Sequence, residues 1–299
     1  MHQKHLLPLL LLISLGTFAQ KEALQTQYLM NPLAINPAYA GTRQDFHLNA
    51  MFRRQFFGVG IQTPTSQSLA MDGAVAKGKV GIGFMTLNDR LSPISNTALY
   101  GSVAYHYSLS ETQTVSFGVQ GSLDFLPLFG GLADNTAGNV GFGVYYKDEK
   151  MFAGVARPEA LRRVTNLRGV NIPIPNSRPL FINAGYLFDL NENTKLLAST
   201  LIYTMENQPL GFDLSGAVWF GERASLGLSF RRQRISFLQI SAQYQLSKNV
   251  LVALNYNSKT LEYDNAFAAG QTLSTSPVGR GIFEATFRFV PNPTKHHYF

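Results

Sequence analysis

The chain has 299 residues, a formal net charge of +7 and 14% charged residues, well below the roughly 25% typical of soluble domains. A mean hydropathy of -0.02, with no later run of about 18 apolar residues, excludes a helical membrane protein. Cysteine is absent, which excludes disulfides, thiol nucleophiles and cysteine-based zinc sites, and the scattered basic residues form no run typical of nucleic-acid binding.

The first element, residues 1–19, is predicted to be a cleaved secretory signal peptide. Lys4 precedes an apolar run from Leu6 to Leu15, and Thr17-Phe18-Ala19 is an acceptable cleavage signal. The apolar run is too short for a spanning helix, which needs about 20 residues. The mature protein is therefore expected to be exported.

Residues 20–42 are predicted to form a turn-rich periplasmic segment. This segment holds two Asn-Pro pairs, Asn31-Pro32 and Asn36-Pro37, and Asn-Pro favours turns because proline biases the preceding residue away from helix. Apolar side chains such as Tyr28 and Tyr39 are available for packing. We expect the segment to lie within or across the mouth of the barrel predicted below, as a closure or a docking surface. A simple lead-in to the first strand is the alternative.

From residue 43 to residue 290 the hydrophobic pattern has a period of two, which indicates one-sided β-strands. In "TVSFGVQGSLDF", for example, Val115, Phe117 and Val119 alternate with Ser116, Gly118 and Gln120. About fourteen strands of this kind are predicted. Their approximate spans are 43–53, 67–76, 80–87, 97–109, 114–125, 139–146, 151–157, 179–189, 195–205, 211–220, 223–231, 235–246, 249–257 and 280–290.

The connections between these strands alternate in length. Every second connection is a tight turn, such as "SETQ" at 110–113, whereas the others are mostly long. Short turns on one rim and long loops on the other are typical of outer-membrane barrels with both ends on the periplasmic side. The fold prediction is therefore an all-β, transmembrane antiparallel β-barrel of outer-membrane type, and a soluble β-sandwich would not explain the difference between the rims. The long connections are 54–66, 88–96, 126–138, 158–178 and 258–279.

Arginine is concentrated next to the long connections, and guanidinium groups bind phosphate and carboxylate in bidentate fashion. Because this rim would face outward, the arginines are candidates for contact with lipopolysaccharide or with an acidic protein partner. Ordinary contact with lipid headgroups is the simpler alternative. The candidates are Arg53, Arg54, Arg157, Arg162, Arg163, Arg168, Arg178, Arg231, Arg232 and Arg234.

No catalytic, cofactor or metal site is predicted. His47 and His106 are expected on the lumen face, and a Ser–His pair with Ser68 or Ser102 would be needed for a membrane hydrolase. No Gly-x-Ser-x-Gly elbow surrounds any serine. The closing residues 291–299, which contain His296 and His297, are predicted to be a solvated tail rather than a metal site.

The segment "QYLMNPLAINPAYAG" resembles the start of the PorP/SprF family of Bacteroidota-type membrane proteins, which accompany type IX secretion and gliding motility. Similar pieces follow along the whole mature chain, including "VGIGFMTLND" at 80–89 and "GRGIFEATFRF" at 279–289. The sequence departs from the family near 279–284, where a Ser-His-Glu-like run is expected. The matching head residues are Gln27, Tyr28, Asn31, Asn36, Pro37, Ala38, Tyr39, Ala40 and Gly41.

The resemblance implies a non-enzymatic outer-membrane barrel. Such proteins partner with secretion components or with a large secreted adhesin or other cargo, which the barrel would help to deliver or anchor at the cell surface. In this interpretation the external loops hold the cargo and the periplasmic rim meets the machinery. A passive porin or a transporter of hydrophobic solutes remains the alternative.

Overall fold

The protein forms a closed antiparallel barrel of fourteen strands. The computed structural model describes residues 28–54, 63–91, 94–128, 133–161, 163–167, 170–174, 178–206, 209–232, 236–257, 281–293 and 296–299. The predicted signal peptide, residue Gln27 and the connection 258–279 lie outside these ranges. Sequential strands pair with each other, and the first strand closes on the last. The predicted fold class and strand number are therefore confirmed.

The barrel strands follow one another around the wall in chain order, and one additional hairpin is inserted between β7 (Met151–Arg157) and β10 (Leu180–Asn191). The hairpin pairs β8 (Arg163–Leu167) with β9 (Val170–Ile174) inside the connection 158–178, which was predicted as a long loop. The barrel strands are β1 (His47–Arg54), β2 (Thr65–Val75), β3 (Val80–Leu91), β4 (Ile94–Ser108), β5 (Thr114–Leu128), β6 (Ala133–Lys147), β7 (Met151–Arg157), β10 (Leu180–Asn191), β11 (Thr194–Thr204), β12 (Gly211–Phe220), β13 (Ala224–Arg232), β14 (Ser236–Ser247), β15 (Val250–Asn257) and β16 (Ile282–Phe289).

Two of the predicted long loops are largely strand. The pair β3–β4 continues to Leu91 and Ile94, and the pair β5–β6 continues to Leu128 and Ala133. In the β3–β4 pair the reason is that the hydrogen-bonded ladder extends past the apolar band through polar residues. Asn88, for example, lies opposite Thr97 and donates to its hydroxyl at 2.8 Å. Hydrophobic alternation marks the band but not such polar extensions.

The two faces of the wall differ as a membrane barrel requires. Large apolar side chains point outward on every side, and Val119 (63% exposed) and Leu226 (60% exposed) are examples. The inward face carries buried polar groups such as Gln120, Asp124 and Asn183. An apolar outer band with a polar interior is the pattern of outer-membrane barrels. Among the described residues, no helix has the length and apolar character needed to cross a membrane.

Candidate functional site

The lumen is occupied by the segment that precedes β1, residues 28–43, here called the head segment. Its two Asn-Pro pairs each start a short 3-10 turn, Pro32–Ala34 and Pro37–Tyr39. The Asn36 side chain accepts a hydrogen bond from the Ala38 amide at 2.9 Å and donates one to the Val144 carbonyl of β6 at 3.0 Å. Asn36 therefore shapes the turn and ties it to the barrel wall.

The barrel wall makes room for the head segment with glycines. A Cβ atom added at Gly118 of β5 would clash with the backbone of Ala38, and one added at Gly143 of β6 would clash with the Asn36 side chain. Gly81 of β3 likewise lies directly against the carbonyl of Ala40. These inward glycines form a shallow groove in which the head backbone contacts the strand backbones. Any side chain at these positions must displace the head segment.

Polar contacts fix the end of the head segment near the short-turn rim. The Gly41 amide donates to the buried Asp72 carboxylate at 2.9 Å, and Lys147 donates to the carbonyl of Thr42 at 3.3 Å. Gly41 has a φ of +70°, and a Cβ there would lie 2.6 Å from the Cα of Gly81. Only glycine satisfies both conditions. The conformation of the chain as it enters β1 is therefore set by contacts with β2, β3 and β6.

Aromatic packing also holds the head segment against the barrel wall. Tyr39 is 1% exposed and meets Tyr145 edge to face with ring centroids 5.4 Å apart. The Arg43 guanidinium lies 5.3 Å from the Tyr39 ring centroid. Burial raises the pKa of Tyr39 to about 12, so this phenol stays neutral. Farther along the lumen, Tyr28 reaches the Ser199 hydroxyl of β11 at 3.3 Å.

The closing residues 296–299 also enter the barrel, which corrects the prediction of a solvated tail. Phe299 is 5% exposed and packs against Phe152, with the ring centroids 5.0 Å apart and the ring planes tilted by 42°. His296 and Tyr298 both pack edge to face on Trp219. Burial lowers the pKa of His296. The Arg43 side chain donates to the Phe299 carbonyl at 3.3 Å and thus links the tail to the head segment.

The predicted arginine rim is only partly at the surface. Arg53 is 3% exposed and points into the lumen, because it shares the inward face of β1 with His47 and Asn49. Arg231 also points inward and pairs with Asp213 at 2.8 Å. Arg162, Arg168 and Arg234 lie outside the described residues, and the side chain of Arg163 does as well.

The remaining arginines lie near the long-loop rim with different environments. Arg54 donates to the Thr63 hydroxyl at 2.9 Å, and Arg178 forms an ion pair with Glu206 at 2.8 Å. Arg157 is partly buried and Arg232 is exposed. Arg232 is therefore the member of the set whose described side chain is most open to a partner.

The pair between Arg231 and Asp213 is expected to stabilise the barrel measurably. Its side chains are 11% and 1% exposed, so Asp213→Asn should lower the free energy of unfolding by about 3–5 kcal/mol. Glu206→Gln breaks the more exposed pair with Arg178 and should cost at most about 1 kcal/mol. Urea titration monitored by the electrophoretic mobility of the folded barrel measures both. Equal losses for the two variants would contradict the assignment.

Within the described part of the chain, His106 does not pair with Ser102, the serine considered for it from the sequence. His106 contacts the Ser116 hydroxyl at 2.7 Å, whereas Ser102, one of the predicted serine partners, donates to Gln120 at 3.0 Å. The His106 site lies beneath Ala40 of the head segment, next to Gly81. Sequence reasoning placed His47 and His106 correctly on the lumen face, but it did not foresee their neighbours.

The fold and the occupied lumen define a class: an outer-membrane-type barrel whose lumen holds a segment of its own chain. The sequence matches the family described as "Type IX secretion system membrane protein PorP/SprF" over residues 17–275. The chain belongs to this family, and family and fold together place it in the outer membrane. The resemblance noted in the head residues is thereby confirmed.

Solved structures similar to this chain are barrels of distant sequence. An Acinetobacter baumannii Omp33 structure has 6% identity and a TM-score of 0.46, covering 83% of this chain and 99% of that chain. A Pseudomonas aeruginosa FadL homologue has 11% identity and a TM-score of 0.49, covering 85% and 92%. KdgM porin has 6% identity and a TM-score of 0.40, covering 81% and 98%. No curated protein sequence matches the chain significantly.

Proposed function

We propose that the protein is a non-enzymatic accessory barrel of type IX secretion, which binds a secreted surface protein at its external rim and contacts secretion components at its periplasmic rim. Family membership supports the secretion role. The occupied lumen is the observation that supports the binding role. A barrel that contains its own head segment is suited to holding a partner rather than to passing solutes.

Closure by the head segment distinguishes this proposal from a porin. In the family block, Asn36, Ala38 and Tyr39 are each at most 1% exposed. Their side chains therefore hold the head segment in the lumen. Tyr28 and Asn31 also contact the wall, through Ser199 and the Met85 sulfur. We infer that the block closes the barrel, whereas the docking of periplasmic components falls to the short-turn rim around it.

The proposal assigns the external partner surface to the long-loop rim. Leu161 is 49% exposed and Leu210 is 62% exposed there, the hairpin β8–β9 stands beside β6, and Arg232 adds an exposed positive charge. Aromatic or aliphatic anchors surrounded by charge are typical of protein interfaces. An acidic, partly apolar segment of a secreted protein fits this surface.

The proposal is tested by removing the hairpin. Residues 163–174 are replaced by a two-residue turn, and the amount of cargo protein retained on the cell surface is measured. Retention should fall at least about tenfold, the effect of losing roughly 1.4 kcal/mol of binding. Replacing the short turn 110–113 in the same way is the control, and it should leave cargo retention unchanged. Full retention without the hairpin, in a barrel that still folds, would refute this surface.

A further inference from the structure

A cluster of three potential metal ligands lies at the short-turn mouth of the barrel. Asp45 precedes β1, His47 begins β1 and His297 belongs to the tail. The ligand atoms of the three side chains all lie within 4.8 Å of one another. The Nε2 atom of His297 is 3.6 Å from the Asp45 carboxylate. In a tetrahedral site with bonds of about 2.1 Å, neighbouring ligand atoms are about 3.4 Å apart, so a small closure would complete the geometry.

The burial of His47 is the second observation that points to a ligand. Its side chain is 1% exposed, and within the described part of the chain neither ring nitrogen has a hydrogen-bond partner. Buried polar nitrogens are normally satisfied. The His47 ring meets the His297 ring edge to face, with centroids 5.5 Å apart, so the two imidazoles face a shared space.

An adjoining cavity supplies an entry route and room for a further ligand. It has a volume of about 350 Å³ and is bordered by His47, His296 and His297 together with the turn at 221–223. Its charged lining consists of Arg223, Lys248 and Arg288 together with Glu222. This excess of positive charge favours a water-derived or other anionic group at the open position of a metal ion.

We propose that Asp45, His47 and His297 bind a zinc ion that fastens the tail to the start of β1. Two imidazoles and one carboxylate form a donor set suited to Zn²⁺, and cysteine is absent from the chain. The ion would connect residues 45–47 to residue 297 across the mouth. Because only the docked tail supplies His297, zinc stabilises the docked state by mass action.

The binding test uses the full mature chain, purified in detergent with a tag that contains no histidine. After treatment with a chelator and removal of the chelator, the protein is titrated with Zn²⁺ alone, and with Co²⁺ as a spectroscopic probe. The expected result is one ion per chain and a visible absorption band of tetrahedral cobalt. His297→Gln should weaken zinc binding by at least about tenfold, since even outer contacts of a metal site are worth that much.

The control is His106→Gln, which removes another buried lumen histidine and should leave zinc affinity within about twofold of the unaltered chain. Because His297 lies outside the barrel strands, its variant is expected to fold, and gel mobility checks this. Zinc should also slow tryptic cleavage after Lys295 in the unaltered chain but not in His297→Gln. Absence of stoichiometric binding, or equal affinity in His297→Gln, would overturn the zinc site. Tail cleavage that ignores zinc would overturn the fastening role.

Discussion

Deletion of residues 28–40 is expected to convert the closed barrel into a conducting pore. The head segment fills the lumen between β3, β5, β6 and β11, where Tyr28, Leu33, Ile35 and Tyr39 are each at most 2% exposed. Barrels of 16–18 strands leave an aqueous channel, and fourteen strands approach that size. Emptying the lumen should therefore raise the single-channel conductance at least about tenfold. Planar-bilayer recording of the purified chain before and after the deletion measures this.

The deletion leaves the fourteen strands intact, so the variant should still show the mobility of a folded barrel on unheated gels. Its matched control is the hairpin deletion of residues 163–174, which removes a similar length of chain that is not part of the barrel sheet. We expect that control to keep the low conductance of the unaltered protein. High conductance in the unaltered protein, with no increase on deletion of the head segment, would show that the segment does not close the lumen.

Valine at Gly118 is expected to expel the head segment without shortening the chain. A Cβ at this position collides with the backbone of Ala38, and backbone cannot rotate away as a flexible side chain can. Overpacking of this kind costs about 1–3 kcal/mol, which corresponds to about 5–150 times more of the undocked state. Protease cleavage within residues 28–43 and open-channel events in bilayers should both increase.

Gly121→Val provides the matched control on the same strand. Nothing lies within 4 Å of a Cβ added at Gly121, which is exposed on the outer face of β5. Both variants carry the same valine in the same strand, so any difference between them reports the docking of the head segment. Equal cleavage and equal conductance in Gly118→Val and Gly121→Val would contradict the groove of inward glycines.

The barrel could be predicted from the sequence because a membrane wall imposes strict alternation on every strand. The same alternation also determines where Arg53 points. Since Leu48, Ala50 and Phe52 share the outer face of β1, Arg53 must face inward, although its position beside a long loop led to the prediction that it lies at the rim. Alternation is therefore a better guide than proximity to a loop.

The filling of the lumen could be predicted only in part. Two Asn-Pro pairs indicated compact turns at the barrel mouth, but the reason for Gly118 and Gly143 is visible only once the head backbone lies against them. The tail offered no such signal. His296 and His297 have no periodic pattern, and their burial depends on Trp219 and Asp45, which are far away in the sequence.

The position of the head segment in the lumen can be tested most directly by disulfide formation, since the chain contains no cysteine of its own. The Cβ of Ala40 lies 3.2 Å from a Cβ built on Gly83, a few tenths of an ångström below the usual disulfide separation of about 3.5–4.5 Å. Ala40→Cys combined with Gly83→Cys should form an intramolecular disulfide in oxidised membranes, detected as a linked peptide by mass spectrometry. Ala40→Cys combined with Gly101→Cys, whose second position faces outward, should not. Free, labelled thiols in both pairs would contradict a head segment seated in the lumen.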